Sequence, residues 1–332
     1  MPTISRTQLL AGIGASAALF ATPRIARAAI PSELGIDYAF YNPVSLILKQ
    51  KGWLEEALSK TKPAAVKVNW VQSLGSNKAN EFLAANAIQF GSTAGSAAFL
   101  ARANGRPIRT VFLFSQPEWT ALVVGKDSTL KNVADLKGKR VAATRGTDPW
   151  FFLLRSLRDV NLTQRDIELV DLQHPDGRTA LERGQVDAWA GLDPHMAASQ
   201  IEAGSRLLYR NVKYNTYGAL NVREDFLAAS PEIVAIVLQQ YQRAREFAIA
   251  NPGETSKILA DAAKLEVKIA DIEIRERTRY PDPTPGSAYH EALAAVAAIV
   301  KDEHLATPGA DLDAALAAIV DPAPARRAAL RA

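Results

Sequence analysis

Residues 139–157 read KRVAATRGTDPWFFLLRSL. Lys139 to Ala143 forms a short strand-like run that ends in small residues. It passes through Arg145-Gly146-Thr147-Asp148-Pro149 into an apolar helical run, Trp150 to Leu157. Proline suits the first turn of a helix, and Asp or Thr suits its start. A strand that feeds a helix this directly is the unit from which α/β folds are built. The helix start also exposes unpaired N–H groups and the positive end of the helix dipole.

The same unit recurs on both sides of that stretch. Before it lie the strand-like runs Leu34–Phe40, Val66–Val71, Ile88–Ser92 and Thr110–Phe114. The last is apolar enough for a buried parallel strand. Thr120–Val124, Ile167–Leu172, Val186–Leu192 and Arg206–Tyr209 continue the pattern around and beyond it. From Pro231 the chain is mostly helical, with apolar residues at Ile233, Val234, Val237, Leu238, Tyr241 and Phe247 at helical spacing. Residues Pro322–Ala332 read as a frayed tail. Two βα blocks followed by a helical tail predict two lobes. The expected division is 29–116 plus 222–332 for the first, discontinuous lobe and 117–221 for the second, with hinge crossings near Ser115–Trp119 and Tyr214–Asn221.

Residues 1–28 read as a cleaved secretory signal. Arg6 supplies a positive start, Leu9–Phe20 an apolar run of about 12 residues, and Ala26-Arg27-Ala28 a small-x-small cleavage site. Such a run is too short to span a bilayer of roughly 30 Å as a helix. These residues carry three arginines and no acid. They account for most of the excess of 39 basic over 35 acidic residues. With no basic block left, nucleic-acid binding is not expected.

The chain has no cysteine. That excludes disulfides, thiol nucleophiles, thiolate metal sites and a cysteine-linked lipid anchor. An exported binding protein without an anchor needs an outer membrane to retain it, which points to the periplasm of a Gram-negative cell. His174 and His195 are the histidines of the second block, but no ligand spacing recurs, so no metal is expected. No cofactor is expected either, and no Ser/His/Asp arrangement has supporting spacing.

Five strand-to-helix junctions are candidates for an anion site: Tyr41-Asn42-Pro43, Ser73 to Asn77 (with Ser76), Thr93-Ala94-Gly95-Ser96, Gly146-Thr147-Asp148-Pro149 and Asp193-Pro194. In open α/β sheets such ends line the crevice at the carboxyl edge of the strands, where an anion meets preformed donors. Trp119, Trp150, Tyr41 and Phe40 are candidates to wall an apolar ligand tail, whereas Trp189 lies inside an apolar strand and reads as core.

The segments Ala134–Val141, Arg145-Gly146-Thr147, Ala180–Trp189 and Asp193-Pro194 occur together and in order. With Phe90–Gly95 they resemble the aliphatic sulfonate, nitrate and taurine binding proteins of ABC importers, from about Gly35 to Asn251. That resemblance implies the two-lobe type II periplasmic binding protein fold, with mostly parallel sheets and helices on both faces. It implies a monomer that closes on a small anion of the alkanesulfonate, taurine or nitrate class and delivers it to an inner-membrane ABC permease. An aliphatic sulfonate, taken up for sulfur, is the first expectation. By position, Tyr41, Asn42, Thr93, Gly95, Gly146 and Thr147 match the family's ligand loops, and Asp193 its Asp-Pro turn. An acid beside an anion is unfavourable, so Asp193 is expected to cap its helix or meet a polar part of the ligand. The competing expectation is a non-cysteine enzyme on the same fold, acting on a sulfonate, a sulfinate or a pyrimidine-type compound.

Overall fold

A computed structural model describes residues 31–61 and 64–329, so the signal read at 1–28 lies outside the described residues. In chain order the strands are β1 (Glu33–Tyr38), β2 (Lys67–Gln72), β3 (Phe90–Ala94), β4 (Ile108–Pro117), β5 (Thr120–Val124), β6 (Arg140–Ala143), β7 (Glu168–Asp171), β8 (Ala188–Leu192), β9 (Arg206–Tyr209), β10 (Gly218–Arg223) and β11 (Thr278–Arg279). They form two sheets. The first has six strands in the order β11-β4-β10-β3-β1-β2, and the second has five in the order β7-β6-β8-β5-β9. The chain leaves the first sheet after β4 and re-enters it at β10. This is the periplasmic binding protein architecture, two α/β sheets with helices on both sides.

The sheets are mixed, not mostly parallel. β1 runs parallel to β2 and β3, and β6 parallel to β7 and β8. β10 lies antiparallel between β3 and β4, and β5 antiparallel between β8 and β9. Apolar runs such as Thr110–Phe114 report burial on both faces and carry no information about direction. A chain that crosses to a second sheet and returns enters each one against the grain.

One apolar cluster packs the Pro231–Ala250 helix on the first sheet, with Phe90, Phe112, Phe114 and Tyr241 in it. A second cluster runs through both sheets. It joins Phe99 and Leu113 to Leu122, Val141 and Phe151, and it includes Tyr289 and Leu293 of the Ser287–Asp302 helix. The tail expected to fray instead forms a helix, Ala323–Ala329, packed on the Pro231–Ala250 helix. Ala325 and Ala328, three residues apart, are buried there. Small side chains one helical turn apart allow this close approach, and an apolar periodicity scan overlooks them.

Candidate functional site

The carboxyl edge of the first sheet is organised around Asp37, at the end of β1. Its carboxylate accepts Ser73 Oγ at 2.6 Å, Ser92 N at 2.7 Å and Ser92 Oγ at 2.8 Å. Asn42 Nδ2 donates to Ser92 Oγ at 2.7 Å while Asn42 Oδ1 accepts Ser45 N and so caps the Pro43–Lys51 helix. Tyr41 donates its hydroxyl to Ser92 O at 2.9 Å, with Ser73 Oγ 3.0 Å away. Asp37, Asn42 and Ser92 are fully buried. Among the described residues no cation pairs with Asp37, and burial pushes its carboxyl up to about 6 despite the three hydrogen bonds. Asp37 was not singled out from sequence. The available signal was an acid in the otherwise apolar run Leu34-Gly35-Ile36-Asp37.

The neighbouring helix starts are tied to each other. Ser76 Oγ accepts Ala94 N at 2.9 Å. Thr93 Oγ1 accepts Asn221 Nδ2 of β10 at 2.7 Å. Gly95 N donates to Tyr217 O, and a side chain at Gly95 would strike the Tyr289 ring, 2.9 Å from where its Cβ would stand. The helices Ser76–Ala84, Gly95–Ala103 and Asp148–Asp159 all begin without a side-chain cap.

Asp148 joins the two sheets. Its carboxylate accepts Ser96 Oγ at 2.5 Å, Trp119 Nε1 at 2.9 Å, Thr216 N at 2.8 Å and Thr216 Oγ1 at 2.8 Å. Ser96 belongs to a first-sheet helix, and Trp119 and Thr216 lie where the chain passes between the sheets. Burial raises the Asp148 carboxyl above its ordinary value, against those four donors. Trp119 meets the edge of Tyr41, with ring centroids 6.0 Å apart. Its indole N–H and ring thus connect the Asp148 and Asp37 groups. Ser96 and Thr216 were missed as partners because their spacing from Asp148 is long and carries no motif.

On the second sheet, Gly146 has φ +73°, a left-handed turn that glycine adopts without strain. Thr147 precedes the helix, but its hydroxyl donates to Thr144 O at 2.6 Å and does not cap it. Trp150 is buried against Phe151, and its indole N–H has no protein partner. Arg145 is exposed and lies against Asp171. His174 is fully buried, and burial together with His195 pushes its imidazole down to about 3, leaving it neutral. Trp189 is fully buried in β8.

Two of the candidates stand apart. Phe40 is half-buried against the first-sheet core. Asp193 turns its side chain to Arg277, whose Nη1 donates to both carboxylate oxygens at 3.0 and 2.8 Å, and Oδ1 also accepts Ala197 N of the following helix. Arg277 Nη2 donates to Gln200 Oε1 at 2.7 Å. Glu273, buried beside this pair, is held well above its ordinary value by burial and then by Asp193. The remaining candidates, Tyr41, Asn42, Ser73, Ser76, Thr93, Ala94, Gly95, Trp119, Gly146, Thr147 and Asp148, are linked into one group by hydrogen bonds, the Tyr41–Trp119 ring contact and adjacency in the chain.

Comparison with known proteins bears on most of the chain. Two relatives named for aliphatic sulfonate binding are similar to it. The one from Escherichia coli strain K12 is 32% identical over 208 residues, which is 62% of each chain. The one from Bacillus subtilis strain 168 is 28% identical over 230 residues, 68% of each. The chain therefore spans somewhat under two thirds of the first of these relatives. The alkanesulfonate-binding protein SsuA from Xanthomonas axonopodis pv. citri, solved bound to MOPS, superposes with a TM-score of 0.78 at 26% identity, covering 87% of this chain and 99% of that one. The NMT1/THI5 like family model matches residues 47–255, well over half of the 332 residues. The chain belongs to the NMT1/THI5 like family.

Proposed function

We propose that this protein is the exported, periplasmic binding component of an ABC importer and takes a small organic anion, an aliphatic sulfonate first, between its two lobes. One observation carries the reading. Three helices drawn from both sheets, beginning at Ser76, Gly95 and Asp148, start side by side without side-chain caps and are joined by the Ser76–Ala94 and Ser96–Asp148 hydrogen bonds. Their dipoles, together with the N–H groups of Ser76, Asn77, Thr147 and Asp148, which meet no acceptor among the described residues, suit an anion and need no arginine. The sulfonate-binding relatives support the ligand class.

In this reading, residues 29–116 with 222–332 form one lobe and 117–221 the other. The membership of β1 to β4 and β11 in one sheet and β5 to β9 in the other supports that division, with the return to the first lobe moved forward to β10, whose Gly218 already pairs in the first sheet. The ligand loops are those of Tyr41 and Asn42, Ser73 and Ser76, Thr93 to Gly95, and Gly146 to Asp148, with Trp119 near the ligand's apolar part. Asn42 and Asp37 act from beneath, by fixing the loops. Charge-assisted N–H contacts contribute roughly 1.5–3 kcal/mol each. A ligand touching both lobes at once favours the closed form by that difference. The closed face then docks on the permease.

A thermal-shift panel on the purified protein tests this reading with ethanesulfonate, taurine, nitrate and an uncharged pyrimidine-type compound. At a hundredfold excess over Kd a ligand adds about 2.7 kcal/mol of stability. The sulfonates are expected to raise Tm most. Stabilisation by the uncharged compound alone rejects the anion reading, and product formed from a bound sulfonate establishes an enzyme in its place.

A further inference from the structure

The second sheet carries, beside the Ser76 helix start, a buried polar atom that the anion reading does not use. His174 opens the His174–Glu182 helix and is fully buried. Its Nδ1 lies 3.2 Å from Thr144 Oγ1. Thr144 spends its single hydroxyl hydrogen on Leu172 O at 2.6 Å, so toward the imidazole it can only accept. Nδ1 therefore carries the ring hydrogen, and Nε2 is a bare lone pair. That lone pair has no protein partner.

Nε2 points across to the first sheet, at the start of the nine-residue helix Ser76–Ala84. A Cβ placed on Gly75, the residue before that helix, would lie 3.2 Å from His174 Nε2 and 2.7 Å from Asn77 Oδ1. Asn77 Oδ1 is a second buried acceptor without a partner. Two unfilled acceptors, one from each side of the junction, thus lie close to Gly75, where any side chain would press on both. Beside them, the N–H groups of Ser76 and Asn77 meet no acceptor among the described residues. Buried polar atoms left this way are costly unless something fills them.

We propose that His174 and Asn77 read a hydroxyl group on the ligand, so that the preferred cargo is a hydroxyalkanesulfonate. This rests on the sulfonate reading and refines it. A hydroxyl satisfies both kinds of group, donating to Nε2 or Oδ1 and accepting from the helix-start N–H. An ammonium can donate, but it accepts nothing and sits at the positive end of a helix. A methyl group leaves every partner unpaired. The sulfonate end then takes the N–H groups of Thr147 and Asp148 at the Asp148 helix start, which meet no acceptor among the described residues. Sites built to hydrogen-bond a substrate group reject the analogue that lacks it far more strongly than apolar pockets reject an extra methylene.

Calorimetry on the full protein with 2-hydroxyethanesulfonate, 2-aminoethanesulfonate and ethanesulfonate tests the proposal. The hydroxy compound is expected to bind at least about tenfold more tightly than the other two, the scale of one buried polar group left unpaired. His174→Leu is expected to erase that preference by weakening the hydroxy compound selectively. Gly75→Ala, which presses a methyl on both acceptors, gives the same selective loss and stands in if His174→Leu fails to fold. Equal affinity for all three sulfonates in the wild type overturns the hydroxyl reading alone, as does an equal loss for all three in either variant. Absence of binding by all three overturns the sulfonate reading and this proposal with it.

Discussion

Asp37 and Asp193 are both buried carboxylates at the ends of strands, one on each sheet, and they are stabilised in opposite ways. Asp37 is held by Ser73 and Ser92, hydroxyl and backbone groups of adjacent strands. Among the described residues no cation pairs with Asp37, and the neighbouring helix starts supply positive potential at that edge. Asp193 is held by Arg277, 84 residues away at the end of the Ile272–Arg277 segment. The first arrangement sets the shape of the ligand loops. The second ties the C-terminal helical segment to the second sheet across the junction. A buried ion pair of this kind adds little net stability against an apolar replacement, but breaking it strands a charge.

The largest expected effect breaks the second arrangement. Arg277→Met leaves Asp193 buried with the Ala197 N–H as its remaining donor among the described residues and with Glu118 and Glu273 nearby. Removing one partner of a buried pair costs about 3–5 kcal/mol. Urea denaturation of the variant is expected to show a loss of that size. The double variant Arg277→Met with Asp193→Leu is expected to recover much of it, because no stranded charge remains. A loss below about 1 kcal/mol in the single variant would mean that the pair is solvated and does not hold the junction.

The same contrast explains what could be read in the sequence. The βα units, the helix starts at Asn42, Ser76, Gly95 and Asp148, and the core role of Trp189 follow from local periodicity and capping chemistry. The helix Ala323–Ala329, the antiparallel placement of β10 and β5, and the Asp193–Arg277 pair depend on contacts between distant residues. No spacing announces that Arg277 reaches Asp193, or that Ser96 and Thr216 meet on Asp148. Within the site, strand-end positions were legible, but the direction of each side chain was not. Asn42 and Thr93 look like ligand donors in a linear reading. In the fold their hydrogen-bonding groups serve Ser92, Ser45 and Asn221.

A smaller effect sharpens the comparison from the Asp37 side. Its carboxyl is raised from 3.8 to about 6 in the folded protein. The folded state therefore holds the proton more tightly than the unfolded chain. The stability this contributes is fully present below about pH 4 and is lost as pH rises through about 6. Asp37→Asn does not titrate. Relative to this variant the wild type is expected to lose up to about 2–3 kcal/mol between pH 4 and 7. His174 shifts the opposite way, down to about 3, but it does so in both proteins and cancels in the difference. A stability difference that stays flat with pH would mean that Asp37 is ionised without penalty, and that Ser73 and Ser92 alone compensate its burial.

The smallest expected effect concerns Thr147. Its position in the Gly146-Thr147 loop suggests a ligand donor, yet its hydroxyl hydrogen is given to Thr144 O at 2.6 Å. A hydroxyl has one hydrogen, so it cannot also donate to an anion. What Thr147 offers a ligand is its backbone N–H, and Thr147→Ala keeps that group. The substitution removes one buried hydrogen bond and is expected to cost about 1 kcal/mol of stability. Sulfonate affinity, measured by calorimetry, is expected to change by less than about threefold, which is about 0.7 kcal/mol. A tenfold loss of affinity at unchanged stability would require the hydroxyl to turn from Thr144 to the ligand on binding. The uncapped start of the Asp148–Asp159 helix would then have a mobile donor, in contrast to the Asp37 edge, where the hydroxyl hydrogens of Ser73, Ser92 and Tyr41 are already committed.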